Sequence, residues 1–174
     1  MAAPKPAPPT TVDAQSLNVV LDRLYALNRK EVDLASASAK TAHSKQARKV
    51  VTAIEADHQK LLDQVQAAAK AQKLSIVDPL TLNLAAADKQ TIQASTAEMN
   101  AVQTGNAGAG FDASLLTALE NADKVELQLA QSASEGIGPT AQVVRPLAAA
   151  LSPVVQQEEQ SADAVLKKVS RKHG

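Results

Sequence analysis

Four ionisable residues stand where the core of a helical protein should be apolar: Glu31, His58, Asp123 and Glu158. Each lies in the middle of a different predicted helix. A charged side chain that is buried alone costs several kcal/mol, so each of the four needs a partner. Carboxylate and imidazole groups are also ligands for iron, manganese and zinc. The four residues therefore predict either a metal site or a network of polar pairs inside a helical bundle.

The spacing along each helix supports this placement. An α-helix turns by about 100° per residue, so residues four or seven apart share a face. Each of the four ionisable residues follows an apolar stripe position by four residues (Leu27, Ile54, Leu119 and Val154). All four side chains are thus predicted to point roughly towards the core.

A fifth candidate ligand comes from a short motif. Residues 55–58, Glu55-Ala56-Asp57-His58, form a Glu-x-x-His segment, which is one half of the ligand motif of di-metal carboxylate bundles. A complete motif needs a second such segment, but Ser161 stands three residues after Glu158, in the place of the second histidine. The helix around Asp123 offers only further carboxylates, at positions 120 and 126.

These residues leave three interpretations open. In the first, the core binds iron, manganese or zinc through the candidate ligands Glu31, Glu55, His58, Asp123 and Glu158. In the second, the same residues form a hydrogen-bonded histidine–carboxylate network without a metal. In the third, one or two of them lie at a helix end or an edge and remain hydrated.

Composition argues against most other chemistry. The chain has no cysteine, which excludes thiolate catalysis and cysteine-ligated zinc. The 18 Lys and Arg residues balance 18 Asp and Glu residues, and aromatics make up 1%, so neither a basic field nor a stacking surface is available for nucleic acid. The loop 105–110 lacks the Lys-Ser/Thr of a phosphate-binding loop. No catalytic residue and no organic cofactor are predicted.

The hydrophobic pattern predicts an all-α protein. Apolar residues recur at helical spacing, no strand alternation is present, and Ser44 is a suitable N-cap for the second helix. An apolar crossover over 74–86 should pack against the bundle. Pro153 follows Ser152, a pair that predicts a kink or restart of the last helix. The predicted helices run from after Asp13 to about Thr41, from the cap Ser44 to near Lys73, from about Ala86 to Val102 and from Phe111 to about Ser132. After a connection over 136–140, the last helical region carries apolar residues from Val143 to Val169. The fold class is an antiparallel four-helix bundle with an extra short helix and one crossover.

The N-terminal residues differ from the rest of the chain. Residues 1–12 are rich in proline and alanine, with four of the eight prolines among the first nine residues, so this segment is predicted to be disordered. Residues 13–172 form the single predicted domain. No apolar run is long enough to span a membrane. A proline- and alanine-rich start is common after a signal cleavage site, so we expect Met1 to precede the mature start of an exported protein. The alternative is a native tail of a cytoplasmic protein.

Several short motifs resemble those of a bacterial family of exported proteins. They are Glu31-Val32-Asp33-Leu34-Ala35, Ala56-Asp57-His58-Gln59-Lys60, Gly110-Phe111-Asp112 and Leu151-Ser152-Pro153, in this order over residues 17–169. The family carries a domain of unknown function, is often labelled as outer-membrane protein, and is grouped with the ferritin-like superfamily. Glu31 and His58 match its pattern, whereas Asp123 and Glu158 stand where its members tend to have histidines.

The resemblance implies a ferritin-like bundle that is exported to the periplasm or secreted. The first functional hypothesis is accordingly a non-catalytic helical bundle with a structural, interaction or stress-related role, acting through a protein or envelope partner. An alanine-rich surface would also suit a homodimer. The alternative hypothesis is a ferritin-like metal-binding protein with its carboxylate and histidine site in the bundle core. Replacing two histidines by carboxylates would move such a site towards oxygen-rich coordination.

Overall fold

The computed structural model describes residues 11–77, 86–105 and 110–170, and every regular element in these ranges is an α-helix. The five helices are α1 (Thr11–Ser38), α2 (Lys45–Ala71), α3 (Ala86–Thr104), α4 (Phe111–Ser134) and α5 (Pro139–Ser170). The prediction of an all-α helical bundle is confirmed. Most of the proline-rich segment 1–12, and residues 78–85 of the crossover, lie outside the described residues.

The helix boundaries follow from local capping chemistry. Ser44 is extended (φ −85°, ψ 143°), and its side-chain oxygen accepts a hydrogen bond from the backbone N–H of Ala47 at 3.0 Å. This bond satisfies one of the N–H groups that the first turn of α2 leaves without a helical partner, as predicted for an N-cap serine. At the other end, Lys73 adopts a positive φ of 56°, which breaks the helical path after α2.

Four helices form the bundle, and α3 packs against its side. Helix α1 neighbours α2 and α4, α5 neighbours the same two helices, and α3 contacts α1 and α4. Short connections make α1–α2 and α4–α5 two helical hairpins. At the start of α4, Asp112 accepts hydrogen bonds from the backbone N–H groups of His43 and Ser44, next to the start of α2. Helices α2 and α4 therefore run parallel, and each pair of adjacent bundle helices is antiparallel.

Because α2 and α4 are parallel, the chain must return along the bundle between them, through a long link that contains the crossover and α3. It leaves α2 through residues 72–77, where Leu74 and Ile76 are partly buried against the bundle core. The carboxylate of Asp22 accepts a hydrogen bond from the backbone N–H of Val77 at 2.7 Å and ties the crossover to α1. The predicted packing of the crossover is thus observed in its first residues. One long crossover is also the connectivity of ferritin-like bundles, although membership of that superfamily remains a prediction.

Helix α5 departs from the sequence prediction. We expected a kink or a restart of the last helix at Ser152-Pro153, and the restart does not occur, because α5 is continuous from Pro139 to Ser170 with Pro146 and Pro153 inside it. Both prolines are exposed, and so are Gln142 and Ala149, whose carbonyls lose their helical N–H partner. Water can hydrate those carbonyls, while the opposite face of α5 packs on α4. Tertiary packing therefore outweighs the local cost of the prolines.

The core is divided into two apolar regions along the bundle axis. One contains Ile54 and Leu119 together with neighbours from α1 and α5, and the other contains Leu24, Leu61 and Leu151. The buried polar residues of the bundle centre lie between them. Within the described ranges, no helix is both long and apolar enough to cross a membrane.

Candidate metal centre

His58 is the centre of the buried polar group, and both of its ring nitrogens face carboxylates. Its Nδ1 lies 2.5 Å from Glu31 Oε2, and its Nε2 lies 3.1 Å from Asp123 Oδ1 and 3.2 Å from Glu158 Oε2. All four side chains are buried. The four residues chosen from helical spacing therefore meet in the core, one from each bundle helix.

Two further residues join this group. Asn28 lies on α1, three residues before Glu31, and its Oδ1 is 3.0 Å from His58 Nδ1. Glu126 lies on α4, three residues after Asp123, and its Oε2 is 3.7 Å from the same nitrogen. The amide of Asn28 also donates a hydrogen bond to Glu126. Both side chains are buried.

The sequence contained a signal for these two residues that we did not use. Residues three apart on a helix share a face, so Asn28 with Glu31, and Asp123 with Glu126, are i, i+3 pairs like the Glu-x-x-His segment itself. Glu126 was noted among the carboxylates of its helix but was not selected as a ligand. The same i, i+3 rule selected Glu55 as a candidate ligand, but the structure places it outside this group.

Glu55 does not join the group around His58. Its side chain is only partly buried, and it forms no ion pair or side-chain hydrogen bond within the described part of the chain. Three residues of helix rotate by about 300°, which leaves Glu55 some 60° from the direction of His58. His58 lies near the middle of the buried face of α2, between Ile54 and Leu61, so Glu55 falls at the edge of that face.

Burial and mutual repulsion perturb the acids strongly. Burial raises the pKa of Glu31 and that of Glu158 to about 7, although His58 acts in the opposite direction on both. Burial, and then the negative charge of Glu31, raise the pKa of Glu126 well above its ordinary value. Burial alone would lower the pKa of His58, but Glu31, Asp123 and Glu158 together hold it well above its usual range. Near neutral pH these carboxyl groups therefore tend to bind protons or another cation.

Several carboxylate oxygens have no hydrogen-bond partner. Within the described residues, Glu31 Oε1, Glu126 Oε2 and Glu158 Oε1 are fully buried and accept no hydrogen bond. Buried polar atoms without a partner are rare in native proteins and call for a specific explanation. Glu31, His58 and Asp123 also offer one ligand atom each within 4.8 Å of one another. A cation placed among these three residues would contact side chains from α1, α2 and α4.

Comparisons with family models, with curated proteins and with solved structures return no match. The resemblance to an exported bacterial family, the periplasmic or secreted location, and an envelope partner therefore remain predictions from the sequence.

Proposed function

We propose that this protein binds a divalent transition-metal cation in the core of its bundle, through Glu31, His58, Asp123 and Glu158. The single observation that carries the proposal is the convergence of buried carboxylates from three helices on the imidazole of the fourth. Metal sites in helical bundles are built in this way, from inward-facing side chains on neighbouring helices.

The charge of the group supports a cation. With Glu126 included, four carboxylates surround one imidazole, which supplies at most one positive charge. An excess of buried negative charge is costly unless protons or a metal ion neutralise it. A divalent cation would offset two charges at once and would give partners to the unpaired oxygens of Glu31 and Glu158.

The ligand types define the class of metal. One imidazole nitrogen with several carboxylate oxygens suits Mn²⁺, Fe²⁺ and Zn²⁺, while the lack of any cysteine disfavours soft ions such as Cu⁺. The ligand set is richer in oxygen than the two-histidine motif of di-iron bundles. We therefore propose manganese, iron or zinc as the bound ion.

Metal loading of the purified protein tests the proposal. Protein stripped with a chelator is dialysed against Mn²⁺, Zn²⁺ or anaerobic Fe²⁺, and bound metal is measured by elemental analysis and titration calorimetry. We expect saturable binding of at least one of these ions. Asp123→Asn and His58→Gln should reduce the affinity by more than the roughly 10–100-fold that outer-shell residues contribute.

Glu159→Gln is the matched control, because Glu159 adjoins Glu158 on α5 but is only partly buried and pairs with Lys124. This variant should bind metal as the unmodified protein does. Equally weak binding by the unmodified protein, Asp123→Asn and Glu159→Gln would reject the proposal and leave a proton-neutralised polar network in its place.

A further inference from the structure

The two ring nitrogens of His58 lie in different surroundings. On one side, Nδ1 faces Asn28 Oδ1 at 3.0 Å and Glu31 Oε2 at 2.5 Å. On the other side, Nε2 faces Asp123 Oδ1 and Glu158 Oε2, at 3.1 and 3.2 Å. A histidine that binds a metal through one nitrogen carries its proton on the other, and the partner of that N–H selects the tautomer. The surroundings of Nδ1 therefore decide which nitrogen is available to a cation.

Asn28 is oriented by two hydrogen bonds that it donates. Its Nδ2 donates to the backbone carbonyl of Leu24 at 2.8 Å and to Glu126 Oε1. A rotation of the amide by 180° would place Oδ1 against these two acceptors and Nδ2 against the ring, so the rotated form would lose both bonds. The oxygen of Asn28 is thus fixed towards Nδ1, where it can accept a proton but cannot supply one.

We propose that Asn28 and Glu126 are positioning residues that hold the proton of His58 on Nδ1 and direct Nε2 towards the cation. This inference rests on the proposed metal-binding function and specifies its geometry. The cation is bound by His58 Nε2 between Asp123 and Glu158, and Glu31 offers one ligand atom within 4.8 Å of those of His58 and Asp123. Glu126 acts through Asn28: its carboxylate accepts the amide hydrogen that keeps the oxygen of Asn28 turned to the ring.

The inference predicts which nitrogen binds Zn²⁺. Zn²⁺ has no unpaired electrons, so ¹⁵N-histidine NMR of the loaded protein distinguishes a metal-bound nitrogen from a protonated one. A His43→Gln sample helps to assign the signals, since the chain has three histidines. In the unmodified protein we expect metal at Nε2 of His58 and a proton at Nδ1.

Three variants separate positioning from general structural support. Asn28→Ala removes one of the two acceptors that face Nδ1 and leaves Glu31 Oε2 there, so the Zn²⁺ affinity should fall by roughly 10–100-fold and the preference for Nε2 should weaken. Glu126→Gln keeps an oxygen for the amide of Asn28, so it should retain binding at Nε2 with a smaller loss. The double variant Asn28→Asp with Glu126→Gln exchanges amide and carboxylate. It keeps a hydrogen bond between the two positions, now donated from position 126, without changing net charge, so binding through Nε2 should be retained, with affinity within about tenfold of the unmodified protein.

Each outcome has a distinct meaning. Zn²⁺ bound through Nδ1 in the unmodified protein would overturn this inference while leaving the metal-binding proposal in place. The same holds if Asn28→Ala keeps both the unmodified affinity and Nε2 coordination, or if Glu126→Gln abolishes binding as Asp123→Asn does, because Glu126 would then be a ligand. Absence of Zn²⁺, Mn²⁺ and Fe²⁺ binding in the unmodified protein would reject both proposals.

Discussion

At the scale of single residues, His58 differs from every other buried group of the bundle centre, because it is the shared partner of four acids. Glu31, Asp123, Glu126 and Glu158 all lie within ion-pair distance of its ring. Removing one partner of a buried ion pair usually destabilises a protein more than the pair itself contributes, because the other charge stays buried. The imidazole should therefore matter for stability as well as for metal binding.

His58→Ala should destabilise the metal-free protein by about 3–5 kcal/mol at mildly alkaline pH, where the acids tend to ionise. Urea unfolding followed by circular dichroism measures this change. His43→Ala is the control, because His43 is exposed in the α1–α2 connection and should change the free energy of unfolding by no more than about 0.5 kcal/mol. Equal effects of the two substitutions would contradict the central role of His58.

The pH dependence of stability should run against the usual acid lability of proteins. The folded state raises the pKa of Glu31 and of Glu158 from 4.5 to about 7. Between these values the folded chain binds more protons than the unfolded chain, so its free energy of unfolding falls as pH rises. The raised pKa of His58 acts in the same direction at higher pH.

We therefore expect the melting temperature of chelator-treated protein to decrease from about pH 5 to about pH 8, measured by calorimetry. Glu31→Gln should flatten the slope, since it removes one of the responsible acids, whereas Glu159→Gln should not. A melting temperature that rises steadily over this range would contradict the sign given by these pKa shifts.

At the scale of helices, periodicity and capping predicted most of the architecture. The Ser44 cap and the apolar stripes placed the helices within a few residues, because both signals are local. Of the kink or restart expected at Pro153, the restart does not occur, because exposure of the proline, which the local rule does not include, lowers its cost. The spacing of three residues from Glu31 places Asn28 near the same face, but its hydrogen bond to Glu126 depends on the facing helix and could not be predicted from α1 alone.

Asp112 connects the two helical hairpins, and its loss should be measurable. Both of its carboxylate oxygens accept backbone hydrogen bonds from the connection between α1 and α2, at 2.7 and 2.8 Å. Asp112→Ala leaves the N–H groups of His43 and Ser44 without this acceptor and should destabilise the protein by roughly 2–4 kcal/mol. Asp163→Ala is the control, since Asp163 is exposed and pairs with Lys167 on its own helix. Equal midpoints of thermal unfolding for the two variants would contradict this role of Asp112.

At the scale of the whole molecule, the proposed metal links the four helices and should stabilise the bundle. A ligand that binds only the folded state adds about 2.7 kcal/mol at 100 times its dissociation constant. For a chain of this size the melting temperature should rise by roughly 5–10 °C. Calorimetry with Zn²⁺ or Mn²⁺, then with excess chelator, measures the rise and its reversal. Asp123→Asn should show little response, and an equal rise in that variant would place the stabilising ion elsewhere.

The polar layer across the centre of the bundle also determines how the two hairpins can align. The α1–α2 hairpin brings Glu31 and His58, and the α4–α5 hairpin brings Asp123, Glu126 and Glu158. Sliding one hairpin by a single helical turn, about 5.4 Å, would move three carboxylates away from the imidazole and against leucine side chains. An alanine- and leucine-rich core tolerates many alignments of the two hairpins almost equally well. The cost of burying an unpaired carboxylate disfavours every alignment except the one observed. The buried acids that destabilise the folded state when they ionise thus also give the bundle a single register.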